Sequence, residues 1–66
     1  MQIQVNGEPF EARDCRTLGE LVEQMGLAGK RIAVELNMEI IPRSEHGTTV
    51  LSEGDRIEIV HAIGGG

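Results

Sequence analysis

Met1, Ile3 and Val5 alternate with Gln2 and Gln4, the period of two that a strand with one buried face requires. The pattern predicts a first strand over Met1 to Val5. Asn6-Gly7 follows, and both central residues of a type I′ turn need positive φ, so this dipeptide between two alternating runs predicts a hairpin. The return strand, Glu8 to Ala12, puts Phe10 and Ala12 on one face and Pro9 and Glu11 on the other. A proline removes a ladder donor, which assigns this strand to a sheet edge.

Thr17 and Glu20 have the spacing at which each side chain can satisfy the other's backbone N–H, so a helix is expected to start at Thr17. Leu18, Leu21, Val22 and Met25 fall at i, i+3, i+4 and i+7 and form one apolar stripe, while Glu20, Glu23 and Gln24 face water. Gly26 is expected to stop the helix as a left-handed cap. Gly19 in the first turn costs about 1 kcal/mol relative to alanine, and nothing in the local pattern accounts for it.

Ile32, Val34 and Leu36 alternate with Ala33 and Glu35, predicting a third strand from Arg31 or Ile32 to Leu36. Asn37 turns the chain into a short strand, Glu39 to Ile41, which Pro42 ends. Arg43 to Val50 has no period and reads as an irregular connection with room for a short helical turn. Glu53-Gly54-Asp55 turns into the last strand, Arg56 to His61, with Ile57 and Ile59 on one face and Glu58 and Val60 on the other. One helix covers one face of one sheet, so the fold class is α+β with the second face open. Val60 and Ala62 fall on that open side, where with Ile63 they are candidates for a partner interface.

Composition narrows the function classes. A chain of 66 residues buries only about 60% of the surface its unfolded form exposes, which leaves no room for a deep catalytic cleft. With one Phe and no Trp or Tyr, the core is aliphatic and aromatic stacking of nucleobases has almost nothing to work with. The net charge of -5 argues against nucleic acid for a second reason, since phosphate binding needs a basic excess. An acidic surface suits a basic docking partner instead. A single Cys excludes an internal disulfide framework, and no Cys/His cluster has zinc spacing. The cytosol is the expected compartment, with no signal peptide or membrane span in the pattern.

Candidate chemistry lies at the end of the chain. Ala62 and Ile63 run from the last strand into Gly64, Gly65 and Gly66, without the Ser or charged residues usual in a linker. The expected organisation is a domain over 1–63 and a flexible tail over 64–66, thin enough to enter a narrow slot on another protein. A terminal carboxyl has a pKa of roughly 3.5, so at neutral pH it is an anion and a poor electrophile that must be activated before it reacts.

In this order and spacing, the opening strand with Asn6-Gly7, the run Val34-Glu35-Leu36-Asn37, Ile41-Pro42-Arg43, and Glu53-Gly54-Asp55-Arg56-Ile57 before the closing glycines resemble the small β-grasp, ubiquitin-like sulfur carriers, specifically those of thiamin biosynthesis. The resemblance covers essentially the whole chain. It implies a mixed sheet packed on one helix, with the first and last strands parallel at the sheet centre. It also implies a carrier with no active site or resident cofactor of its own, monomeric when free. The Gly66 carboxylate would be adenylated with ATP and magnesium by an E1-like adenylyltransferase similar to ThiF. A cysteine desulfurase would supply persulfide sulfur, and the resulting thiocarboxylate would serve a thiazole synthase similar to ThiG. Two departures stand out: a third glycine, Gly64, where the family usually ends in a pair, and Met38 where relatives often place Gly. For the latter, either Asn37 alone takes the left-handed conformation or the turn differs. The alternatives are a small subunit of molybdopterin synthase, whose members tend to be longer, and a ubiquitin-like modifier or plain interaction module.

Cys15 invites a sulfur-transfer role, but only Arg16 is placed to lower its pKa, and a lone thiol before a helix is read as incidental. His46 and His61 stand fifteen positions apart with no Cys companion; His46 reads as a loop residue and His61 as a strand-end contact.

Overall fold

The computed structural model describes residues 1–61. In chain order these form β1 (Gln2–Val5), β2 (Glu8–Glu11), α1 (Leu18–Gln24), β3 (Ile32–Leu36), β4 (Glu39–Ile41), a 3-10 turn (Arg43–Glu45) and β5 (Arg56–His61). Each predicted element is present, with the ends of β1 and β2 one residue shorter than the alternation suggested. Met1 lies outside the ladder, held by its ammonium on the Glu11 carboxylate at 2.6 Å, and its carbonyl accepts from Ala12 N–H at 2.8 Å.

The strands join in one sheet in the order β2-β1-β5-β3-β4. Proline-bearing β2 lies at an edge, as a missing donor requires. β1 and β5 pair in parallel, Gln4 with Arg56 and Val5 with Ile57, while β3 runs antiparallel to β5 from Ile32 with His61 to Leu36 with Ile57. β5 is therefore the central strand. Its inward residues Ile57 and Ile59 meet Ile3, Val5, Val34, Leu18, Leu21 and Leu51 in the core. Among the described residues Leu18, Leu21, Ile57 and Val34 are the largest fully buried side chains. The single helix covers this face alone.

The helix is defined at both ends by local hydrogen bonds. Thr17 is the N-cap, its hydroxyl accepting from Glu20 N–H at 3.2 Å while the Glu20 carboxylate accepts from Thr17 N–H at 3.2 Å and Arg16 N–H at 2.6 Å. Those two backbone donors hold the Glu20 carboxyl below its ordinary pKa. At the other end Gly26 has φ +75°, Leu27 N–H donates to Val22 O at 2.9 Å and Gly26 N–H to Glu23 O at 3.0 Å, the paired bonds of a Schellman cap.

The remaining free N–H groups at the helix start are met from far along the chain. Leu18 N–H donates to Thr49 O at 2.9 Å, and Gly19 N–H to His46 O at 2.8 Å. This contact limits the side chain at position 19. A Cβ there would stand 3.4 Å from Gly47 Cα and from the His46 carbonyl, at the near limit of van der Waals contact, so anything beyond a methyl group would press on loop backbone. The same segment pairs Thr17 with Val50 in a short antiparallel bridge, and Leu51 N–H donates to Arg16 O at 2.9 Å. Order in the stretch 43–51 thus comes from these long-range bonds together with local ones, among them Glu45 N–H to Pro42 O, His46 N–H to Arg43 O and the Thr49 hydroxyl to Glu45 O.

The turn between β3 and β4 corrects the expectation for Met38. Leu36 faces Glu39 across a two-residue connection, which in its type I′ form has positive φ at both central residues. Asn37 has φ +50° and Met38 +74°, so Asn37 does not take the left-handed conformation alone: Met38 shares it. Its side chain is 87% exposed.

Candidate functional site

The sequence places the candidate chemistry beyond β5, the strand from which the terminal residues continue. β5 is hydrogen-bonded to β3 along its length and to β1 at its start. Its last described residue, His61, is paired with Ile32. Ala62, Ile63, Gly64, Gly65 and Gly66 lie outside the described residues.

Val60, the remaining candidate for the partner interface, projects from the sheet face opposite the helix and is 59% exposed. The register puts Ala33 directly across from it, and Glu58 across from Glu35, with Ile40 beyond Glu35 on β4. Ile40 is itself 74% exposed. The open face near the end of β5 therefore joins apolar Val60, Ala33 and Ile40 to two directly opposed carboxylates. Like charges facing across strands are mildly destabilising, and an apolar surface with a cationic group could meet both features at once. Periodicity located Val60. Ile40 was given no face by a strand of three residues; its pairing with Glu35 places it on the face that carries Val60.

The Cys15 and His46 side chains have partners within the domain. The Cys15 thiol is buried and lies 3.1 Å from Gln24 Oε1, in a shallow depression also lined by Arg13, Asp14, Glu20 and Glu23. Burial raises its pKa, and the carboxylates of Glu20 and Asp14 raise it further. A thiol kept protonated is a poor nucleophile, which agrees with an incidental Cys15. His46 is buried, and its Nε2 lies 3.1 Å from Ile41 O. It pins the loop that supports the helix start, a more structural position than a loop residue implied. Among the described residues no group of His, Cys, Asp and Glu could hold a metal ion, and no helix is long and apolar enough to cross a membrane.

Two asparagines bind β5 from its flanks. Asn6 N–H donates to Ile57 O at 2.8 Å and its Oδ1 accepts from Ile59 N–H at 2.7 Å. Asn37 N–H donates to Arg56 O at 2.8 Å, its Oδ1 accepts from Arg56 N–H at 3.0 Å, and its Nδ2 donates to Asp55 Oδ1 at 3.1 Å. The turn signal identified both residues for their φ; their side-chain bonds depend on which strand lies beside the turn.

Comparison with known proteins follows this geometry. The model of the ThiS family matches residues 3–66. The chain is 37% identical over 65 residues to the sulfur carrier protein ThiS of Bacillus subtilis, covering 97% of this chain and 98% of that one. It is 46% identical over 66 residues to a thiazole synthase of Magnetococcus marinus, covering 100% of this chain and 20% of that enzyme. The chain thus spans about one fifth of the length of the thiazole synthases it matches. The crystal structure of the thiamine biosynthesis protein ThiS from Geobacter metallireducens superposes with a TM-score of 0.84 at 30% identity, covering 100% of both chains.

Proposed function

The chain belongs to the ThiS family, and from that membership we propose that it is the sulfur carrier of thiazole formation in thiamin biosynthesis, a carrier rather than an enzyme. The observation that carries this reading is the family match running through Gly66 itself. The thiazole synthase relatives, in which a matching segment makes up 20% of the chain, favour thiazole formation over molybdopterin synthesis and point to a thiazole synthase as the acceptor.

In this reading a carboxylate oxygen of Gly66 attacks the α-phosphorus of ATP. The bond to pyrophosphate breaks, and an acyl-adenylate forms. A partner similar to ThiF supplies the site, the ATP and the magnesium. The terminal sulfur of a persulfide, delivered through a cysteine desulfurase, then attacks the acyl carbon and AMP departs. Attack of a thiol on the resulting sulfur–sulfur bond frees the thiocarboxylate and leaves a disulfide on the donor. The chain contributes the electrophile precursor and a surface that presents it. ATP and reduced thiols place these steps in the cytosol.

Gly64, Gly65 and Gly66 form the segment that enters the partner's site, with Val60, Ala62 and Ile63 at its root. Incubation of the chain with ATP, magnesium, an E1-like adenylyltransferase and a persulfide donor should add the mass of one oxygen-to-sulfur exchange. One alanine added after Gly66 displaces the reacting carbon by about 3.5 Å, comparable to the roughly 3–3.5 Å at which reacting atoms must be held. The extended chain is expected to stay folded and lose ATP–pyrophosphate exchange. Exchange at the wild-type rate would overturn the reading, and an isopeptide product would make the chain a protein modifier instead.

A further inference from the structure

β1 and β5 do not support each other over equal lengths. β5 keeps its antiparallel partner β3 as far as His61, but on its other flank β1 pairs only with Arg56 and Ile57. The reason is local: after Val5 the chain turns back at Asn6-Gly7 into β2. Without a substitute, the backbone of β5 beyond Ile57 would lose its partner on the β1 side just where the strand heads toward the terminal glycines.

Asn6 supplies the substitute. Its N–H makes the last main-chain bond of the parallel pair, to Ile57 O at 2.8 Å, and its Oδ1 takes the next donor, Ile59 N–H, at 2.7 Å. The side-chain oxygen stands in for the carbonyl that a continuing β1 would have offered. A buried backbone donor left unmet is costly, so this rung helps decide whether residues 58–61 sit as part of a three-strand centre or as an edge held by β3 alone. On the other flank Asn37 bonds at Asp55 and Arg56, at the far end of β5. Asn6 is the clamp nearest the tail.

We propose that Asn6 is a positioning residue for the chemistry at Gly66: by holding Ile59 it fixes the direction in which β5 leaves the domain relative to the open face that carries Glu58 and Val60. This rests on the carrier reading above. Docking uses the face and reaction uses the strand's continuation, so loosening the join between them should slow the reaction within the complex and leave formation of the complex little changed.

The test uses the full chain with its E1-like adenylyltransferase. Asn6→Gly retains the positive φ that the turn needs and removes the acceptor. Asn6→Asp retains both. Asn6→Gly is expected to speed amide hydrogen exchange at Ile59, with Val34 and Leu21 little affected. It should also lower kcat for ATP–pyrophosphate exchange about three- to tenfold, the span set by one net hydrogen bond, with KM for the carrier within about twofold. Asn6→Asp should restore both. The inference falls if Asn6→Gly leaves kcat unchanged, if KM absorbs the effect, if Asn6→Asp fails to rescue, or if core amides speed up as much as Ile59. A wild-type chain that supports no exchange overturns the carrier reading, and this inference with it. An active wild type with an equally active Asn6→Gly variant overturns this inference alone.

Discussion

The two hairpins of the sheet solve one geometric problem with different second residues. Val5 faces Glu8 across Asn6-Gly7, and Leu36 faces Glu39 across Asn37-Met38. The φ values nearly coincide, +52° and +81° in the first turn and +50° and +74° in the second. In each, asparagine adopts the left-handed conformation and also bonds to β5 through its side chain. Glycine then completes the first turn without a steric penalty, whereas Met38 carries a Cβ through a conformation that L-residues rarely adopt. The shared asparagine therefore follows from two requirements at once, a backbone angle and an acceptor for the central strand. The second position follows from one requirement, and that requirement tolerates a residue that strains it.

The largest expected break in this equivalence is Gly7→Val. A Cβ at Gly7 meets nothing within 4 Å, so the cost is conformational and not steric crowding. A β-branched residue at this φ should destabilise the domain by about 1–3 kcal/mol, read as a lower denaturation midpoint with an unchanged m-value.

A smaller and more diagnostic effect comes from exchanging the second residues. Met38→Gly relieves a left-handed methionine while adding backbone entropy to the unfolded chain, for a net gain of about 0.5–1 kcal/mol. Gly7→Met should lose a similar amount. The turns are equivalent if the double variant melts close to wild type, because distant sites add; a double variant well below wild type would show that one turn carries strain the other does not.

The smallest effect is in pH response. The first hairpin carries the 2.6 Å ion pair between the Met1 ammonium and Glu11, at an exposed site where such a pair is weak. Its bond to that ammonium lowers the Glu11 pKa, and the bond to Glu11 raises that of the ammonium. Glu11 therefore contributes stability above its unfolded pKa and loses it as pH falls through the lower folded value. The ammonium contributes below its unfolded pKa and loses this as pH rises through the higher folded value. Amide exchange along β2, corrected for intrinsic rates, should accelerate more than that along β4 at both extremes. Glu11→Gln should abolish the difference, and equal behaviour of the two strands in the wild type would show that the pair does no local work.

Much of the fold could be read along the chain because the relevant interactions are short in sequence. The alternation of Ile3 with Val5 and of Ile57 with Ile59 identifies buried faces, Thr17 and Glu20 meet across one helical turn, and Gly26 ends the helix within two residues of its cap. The same reasoning extends to the open sheet face and to Val60, since one helix has one covered side to offer. Met38 escaped it because propensity describes what a residue prefers, while the tight connection between paired Leu36 and Glu39 here takes the form with positive φ at both residues. For residues 64–66 the sequence supplies three consecutive glycines, and the ThiS family model extends through them.

By itself the sequence determined the elements and their inward faces, because side-chain period, capping and backbone permissiveness act between near neighbours. The tertiary structure alone decided why Gly19 faces the His46–Gly47 backbone, why His46 is buried, and why Asn6 and Asn37 reach for β5. Gly19, Asn6 and Asn37 each answer a backbone group brought near from a remote part of the chain, while His46 answers the carbonyl of Ile41 within its own loop. Such groups must be satisfied wherever water is excluded, and the residue able to do so is known only once the strands and the loop stand side by side.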